Sequence, residues 1–170
     1  FAWNTFALIL SGTNGFCTVK GDLNIGITGA GTVTVINNNF NSKAMLIMGG
    51  LFVGAGSTLT IECDATLSPA NYNVNYKEGT GFDVQGDVYI DGTLDVNALN
   101  SGLLSLSASS SQDVVGAGTL DLWNVEKNST GAVLLDLPLI IKNNFTLTGG
   151  SFDAAGNNIT IAGIWNNTGA

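Results

Sequence analysis

The chain is 170 residues long, with charged side chains at only 11%, glycine at 23 positions and a formal net charge of −8. Its basic residues are all lysines (Lys20, Lys43, Lys77, Lys127 and Lys142), so the basic patch selected by nucleic acids and by anionic membranes is missing, and neither partner is expected. The length suits one domain or one solenoid segment, in which asparagine, threonine and serine supply the solvation that charges normally provide.

The opening stretch, Phe1 to Leu10, is apolar and aromatic, with Phe6, Leu8 and Leu10 alternating against Ala7 and Ile9. A first strand, a cap over residues 1–16 and a strand that docks on another chain all fit it. Phe1, Trp3, Phe6, Leu8 and Leu10 are therefore the candidate self-association residues. Phe1-Ala2-Trp3 carries no charged leader, so a secretory signal is expected to have been removed or to lie outside this segment.

Beyond the Ser11-Gly12-Thr13-Asn14-Gly15 turn, strands are expected at Thr18 to Ile27, Gly31 to Ile36, Ala44 to Val53, Ser57 to Ile61, Phe82 to Ile90 and Thr93 to Val96. They continue at Leu103 to Leu106, Gly118 to Val125, Ala132 to Leu135, Leu139 to Leu147, Ser151 to Asp153 and Asn158 to Trp165. The uncharged run from Ala44 to Ile61 is long enough to suggest a membrane span. It is punctuated by Gly49, Gly50, Gly54 and Gly56, however, and ends in the alternating Ser57-Thr58-Leu59-Thr60-Ile61, so it reads as strand, turn, strand. No membrane insertion is expected, and no window shows a helical period.

Between Asp83 and Val96 the even positions Val84, Val88, Ile90, Leu94 and Val96 are apolar, while the odd ones carry Asp83, Gln85, Asp87, Tyr89, Asp91, Thr93 and Asp95. Gly86 and Gly92 mark bends that keep this phase. Returning each of the five inward side chains to water costs about 1.5–3 kcal/mol. A one-residue slip would bury four aspartates, so the register is strongly held.

Short units recur. Gly-Asp-apolar-x-Ile stands at Gly21 to Ile25 and again at Gly86 to Ile90; Gly-Ala-Gly-Ser/Thr stands at Gly54 to Ser57 and Gly116 to Thr119. Asn143-Asn144-Phe145-Thr146-Leu147 is followed by Asn157-Asn158-Ile159-Thr160-Ile161. Loose repeats of roughly 20 to 30 residues imply stacked coils. The expected fold is all-β, a right-handed parallel β-helix spanning 1–170 with its clearest repeats over 110–170; an antiparallel β-sandwich is the alternative. Seven or eight coils ~4.8 Å apart make a rod of about 35 to 40 Å.

Ser110-Ser111-Gln112-Asp113-Val114-Val115-Gly116-Ala117-Gly118-Thr119-Leu120, Trp123-Asn124-Val125-Glu126-Lys127-Asn128 and the closing Ile164-Trp165-Asn166-Asn167-Thr168-Gly169 together resemble the repeats of bacterial β-strand-repeat surface proteins, of the filamentous-haemagglutinin-like and autotransporter-like kind. The likeness is best over residues 110–170. It implies an exported, cell-surface or fibre-forming segment without chemistry of its own.

Asp83, Asp87, Asp91 and Asp95 line up outward and could flank a sugar, but no arginine or histidine stands ready to relay charge. Gly149-Gly150-Ser151-Phe152-Asp153 is only a fragment of a calcium nonapeptide, so no cofactor is expected and calcium is the residual option. Threonine pairs at Thr32/Thr34, Thr58/Thr60 and Thr146/Thr148 suggest an ice- or polysaccharide-binding rank, yet their spacing is too uneven for one continuous array. Cys17 and Cys63 are the candidate disulfide. Two coils would hold them ~9.6 Å apart, so a bond requires a long coil or a loop excursion between them. Asn128, Asn144, Asn158 and Asn166 head N-glycosylation sequons, with Asn144 and Asn158 expected outward on strands. The expected function is a structural or adhesive module, not an enzyme, that meets copies of itself, neighbouring repeats or surface glycans. A carbohydrate-active enzyme and a polysaccharide- or ice-binding module are the alternatives. If the apolar coil ends mediate assembly, Phe6→Asp should reduce it.

Overall fold

The computed structural model describes residues 5–10, 17–25, 32–37, 45–63, 80–96 and 102–169. Within them the chain forms strands and turns and no helix. Strands β1 (Thr5–Leu10), β4 (Thr32–Asn37), β7 (Thr58–Cys63), β10 (Thr93–Val96), β13 (Thr119–Leu122), β16 (Leu139–Ile141) and β19 (Ile159–Ile161) make a seven-stranded sheet A. A second seven-stranded sheet, B, contains β2 (Cys17–Val19), β5 (Met45–Ile47), β8 (Thr80–Val84), β11 (Gly102–Leu106), β14 (Asn124–Lys127), β17 (Phe145–Leu147) and β20 (Trp165–Asn167). Six strands make sheet C: β3 (Leu23–Ile25), β6 (Leu51–Val53), β9 (Val88–Ile90), β12 (Gln112–Val115), β15 (Ala132–Leu135) and β18 (Ser151–Asp153).

Each sheet takes every third strand, and neighbouring strands are parallel, as in Thr5↔Thr32, Met45↔Phe82 and Leu51↔Val88. A chain that visits A, B and C and then returns to A one rung higher is a parallel β-helix. The antiparallel sandwich is set aside, because the paired strands of all three sheets run parallel. Along sheet A the coil lengths are 27 residues (Thr5 to Thr32), 26 (Thr32 to Thr58), 35 (Thr58 to Thr93), 26 (Thr93 to Thr119), 19 (Leu122 to Ile141) and 20 (Leu139 to Ile159). The longest coil includes 64–79, which lie outside the described residues.

Six of the expected strands are each two strands meeting at a corner. Phe82 to Ile90, for example, is β8 and β9 with Gln85-Gly86-Asp87 between them; Thr18 to Ile27, Ala44 to Val53, Leu139 to Leu147 and Asn158 to Trp165 likewise bend over three residues, whereas Gly118 to Val125 bends at Trp123 alone and its inward phase shifts there. A three-residue corner preserves the parity of two, so alternation runs through the bend unbroken. The middle residue of the corner then faces inward, and glycine meets that position without a side chain to bury. Gly49 donates its N–H to Gly21 O (3.2 Å) and Gly86 to Gly49 O (2.8 Å), forming a column in which a Cβ on Gly86 would come 2.4 Å from the Gly49 carbonyl carbon.

Val84, Val88, Ile90, Leu94 and Val96 are all fully buried, as their phase required. Inner columns run along the stack, such as Met45, Phe82, Leu104, Val125 and Phe145 on sheet B. One member is anomalous. Lys127 stands between Leu106 and Leu147 in a core column and is fully buried. Its ammonium donates to Ser129 O (2.5 Å) and Ser129 Oγ (2.7 Å), and burial pushes its pKa below the ordinary lysine value.

Candidate functional site

The outward acids sort by face. Asp83 lies on β8 of sheet B, Asp87 at the corner between β8 and β9, Asp91 after β9, and Asp95 on β10 of sheet A. The chain turns through all three faces between them, so these four carboxylates do not converge on one ligand. Two of them hold backbone groups. The Asp113 N–H donates to Asp87 Oδ1 (2.9 Å) and the Ala117 N–H to Asp91 Oδ1 (3.1 Å), each from the following coil. Asp22 does the same for Gly50 N–H (2.8 Å), which gives the Gly-Asp-apolar-x-Ile unit its meaning. The aspartate ties a coil to the next, and the glycine before it lets the corners stack.

Asparagines take over this role farther along. Asn124 Oδ1 accepts from the Asn143 side-chain amide (3.0 Å) and the Asn144 N–H (3.3 Å), and Asn144 Oδ1 accepts from the Ile164 N–H (2.9 Å). Asn144 is thus a half-buried corner residue one position before β17, not an outward strand residue. Asn158 is exposed and likewise precedes its strand, β19; Asn166 is exposed within β20, opposite Thr146. Asn128 is exposed, with its amide donating to Ser105 Oγ (3.2 Å) and to Glu126.

On the outer side of sheet B lies a cleft of about 170 Å³, lined by Leu103, Asn124, Val125, Glu126, Asn144 and Thr146. Glu126 accepts from Ser105 Oγ (3.0 Å), and Asp83 on the same sheet accepts from the Ser107 hydroxyl. On sheet A, Lys142 pairs with Asp121 at 2.7 Å. Among the described residues no three His, Cys, Asp or Glu side chains are grouped to hold a metal ion. Asp153, the acid of the calcium-like fragment, accepts from the Ala155 N–H (2.8 Å).

Threonines form the continuous rank that spacing alone had argued against. Backbone register places Thr5, Thr32, Thr58, Thr93 and Thr119 in a single column across five strands of sheet A. The 35-residue coil hides this column from any fixed period. Thr34 and Thr60 belong to a second column that runs from Ala7 and continues as Asp95 and Asp121, while Thr146 belongs to sheet B.

Cys17 opens β2 opposite Met45, and Cys63 ends β7 opposite Asn37; they stand on different sheets, and their side chains lie outside the described residues. Phe1 and Trp3 also lie outside them. Phe6, Leu8 and Leu10 are placed by backbone alone, opposite Val33, Val35 and Asn37 on β4, with β1 at the edge of sheet A.

At the other end of the stack, Trp165 continues the Phe82, Leu104, Val125 and Phe145 column, its ring packed edge-on to Phe145 at 5.2 Å. Trp165 nevertheless remains 51% exposed and Ile164 66%, because among the described residues nothing stacks on this coil. Ile159 and Ile161 are only partly buried.

No family model, curated protein or solved structure matches this chain.

Proposed function

We propose that the chain is a non-catalytic structural segment of an extracellular stalk or fibre, of the kind built by bacterial β-strand-repeat surface proteins, and that it extends by adding coils end to end. The observation that carries this reading is the β19–β20 coil. It presents an inner column residue, Trp165, still half in water, beside partly buried Ile159 and Ile161, together with the hydrogen-bonding edges of its strands. An uncovered parallel edge above an apolar core is completed by another parallel coil, since only that satisfies the strand edge and the column together. That coil is the polypeptide's own continuation or, for this segment in solution, a second copy stacking head to tail, a heterologous contact that propagates.

The exported, surface-borne setting rests on the resemblance over residues 110–170. Catalysis draws little support from the site, because the four acids that sequence placed in line face three directions. The test is light scattering and electron microscopy of the chain across concentration. Trp165→Asp should abolish rods or oligomers, whereas Ile140→Asp, on the outer face of sheet A, should leave them intact. A chain that is monomeric throughout, or whose assembly survives Trp165→Asp, contradicts the proposal.

A further inference from the structure

The outer face of sheet C differs from the other two. Its central column runs Asn24, Phe52, Tyr89 and Val115. The Phe52 and Tyr89 rings lie 6.3 Å apart at 36°, and Tyr89 remains 38% exposed. Phe52 lies back over its own coil, close enough that a Cβ on Gly50 would come 2.6 Å from its ring edge. The Tyr89 hydroxyl bonds to Asp91, which raises its pKa.

Acids surround this apolar stripe. Asp22, Asp87 and Asp113 lie along one side, Asp91 on the other, and Asp136 and Asp153 continue beyond it; Asp113 is exposed and pairs across the sheet with exposed Leu134, which in turn pairs with Asp153. Described lysines barely offset them. Lys127 is in the core, Lys142 is paired with Asp121 on sheet A, and Lys20 stands at the first corner, beside Asp22. Along one side the carboxylates of Asp87 and Asp113 stand on adjacent coils, ~4.8 Å apart, while Gly50 separates Asp22 from Asp87 and Leu134 separates Asp113 from Asp153; among the described residues they form no metal-holding group. They make a comb rather than a cage.

We infer that sheet C is a docking face for an extended lysine- or arginine-bearing polypeptide segment. The aliphatic stems of such side chains lie along Phe52, Tyr89 and Val115. Their cationic heads meet the aromatic faces and the carboxylates of Asp87, Asp91 and Asp113. The charge of this face draws such a segment, and salt weakens the attraction. A neutral glycan would gain stacking on the rings but nothing from the carboxylate charges.

The test titrates the full chain with a labelled oligolysine peptide and follows fluorescence anisotropy at low and physiological salt. Asp87→Asn with Asp91→Asn and Asp113→Asn removes three charges while keeping the side-chain oxygens that accept backbone N–H groups. This variant should bind about tenfold more weakly or worse. Asp83→Asn with Asp95→Asn and Asp121→Asn removes the same charge from the other faces and should weaken binding less than about twofold. Tyr89→Ala should weaken it roughly threefold. If the first triple variant does not fold by circular dichroism, Asp113→Asn with Asp136→Asn replaces it, as neither carboxylate holds a neighbouring backbone group. Equal weakening by the two triple variants, which would signal net charge alone, overturns the inference. So does absence of peptide binding, or preference for a neutral oligosaccharide with the same Tyr89 dependence.

Discussion

Lys127 is the residue whose position most departs from its chemistry. It takes a leucine's place between Leu106 and Leu147, and its ammonium finds two serine oxygens but, among the described residues, no carboxylate. The folded state therefore disfavours its charge, and its pKa falls below the ordinary lysine value of 10.5. In the window between the lowered pKa and 10.5, the unfolded chain holds more protons, so stability from this group rises with pH and the penalty is greatest on the neutral side. Urea unfolding should show that rise, and Lys127→Met should remove it while stabilising the chain at neutral pH by about 1 kcal/mol. A flat pH profile in the parent protein would contradict this. Ala155 offers a second residue-scale test. It holds a left-handed φ of 47° beside Gly156 at 84°, in a corner whose counterpart, Gly54-Ala55-Gly56-Ser57, is closed by the same bond, Ser57 N–H to Gly54 O (3.0 Å), matching Asn157 N–H to Ala154 O (2.7 Å). Ala155→Gly relieves the Cβ crowding and should raise stability by about 0.5–1 kcal/mol, read as a shift in the unfolding midpoint.

At the scale of elements, the inward phase of the core was legible because alternation with period two is a strong signal, and Val84, Val88, Ile90, Leu94 and Val96 obey it without exception. The corners were not. Three residues between inward positions leave the parity unchanged, so a bent pair of strands and one straight strand share the same pattern. Strand β12 escaped notice for the opposite reason. Its inward residues are Gln112 and Val114 and its outward ones Asp113 and Val115, which mixes polar and apolar on both faces. Gln112 is tolerated inside because its amide donates to Val84 O (3.1 Å) and Gly86 O. In sequence the aspartates read as an outward line fit to flank a sugar, because the backbone N–H partners of Asp22, Asp87 and Asp91 lie one coil away, at separations no local motif reveals. Asp87→Ala should cost about 1 kcal/mol of stability and Asp87→Asn much less, since the amide oxygen keeps the bond to Asp113 N–H. Equal losses in urea denaturation would show that the charge, not the bond, matters at this corner.

For the whole molecule, the decisive property is that each coil completes the one before it. Backbone ladders, glycine columns and the Asp/Asn ties all join residues on successive coils, from 19 positions apart (Asn124 and Asn143) to 37 (Gly49 and Gly86), and any coil without a successor is left with an open edge. The stalk-like reading, the exposed Trp165 and the acidic stripe on sheet C all follow from three faces that turn outward at fixed corners. That arrangement is tested most directly by nuclear Overhauser contacts between backbone protons in one pair per sheet: Leu94 with Leu120, Leu104 with Val125, and Val114 with Leu135. The account predicts parallel-strand contacts in all three pairs and none across the β8–β9 corner between Val84 and Val88. Antiparallel Hα–Hα contacts joining strands consecutive in sequence would contradict it.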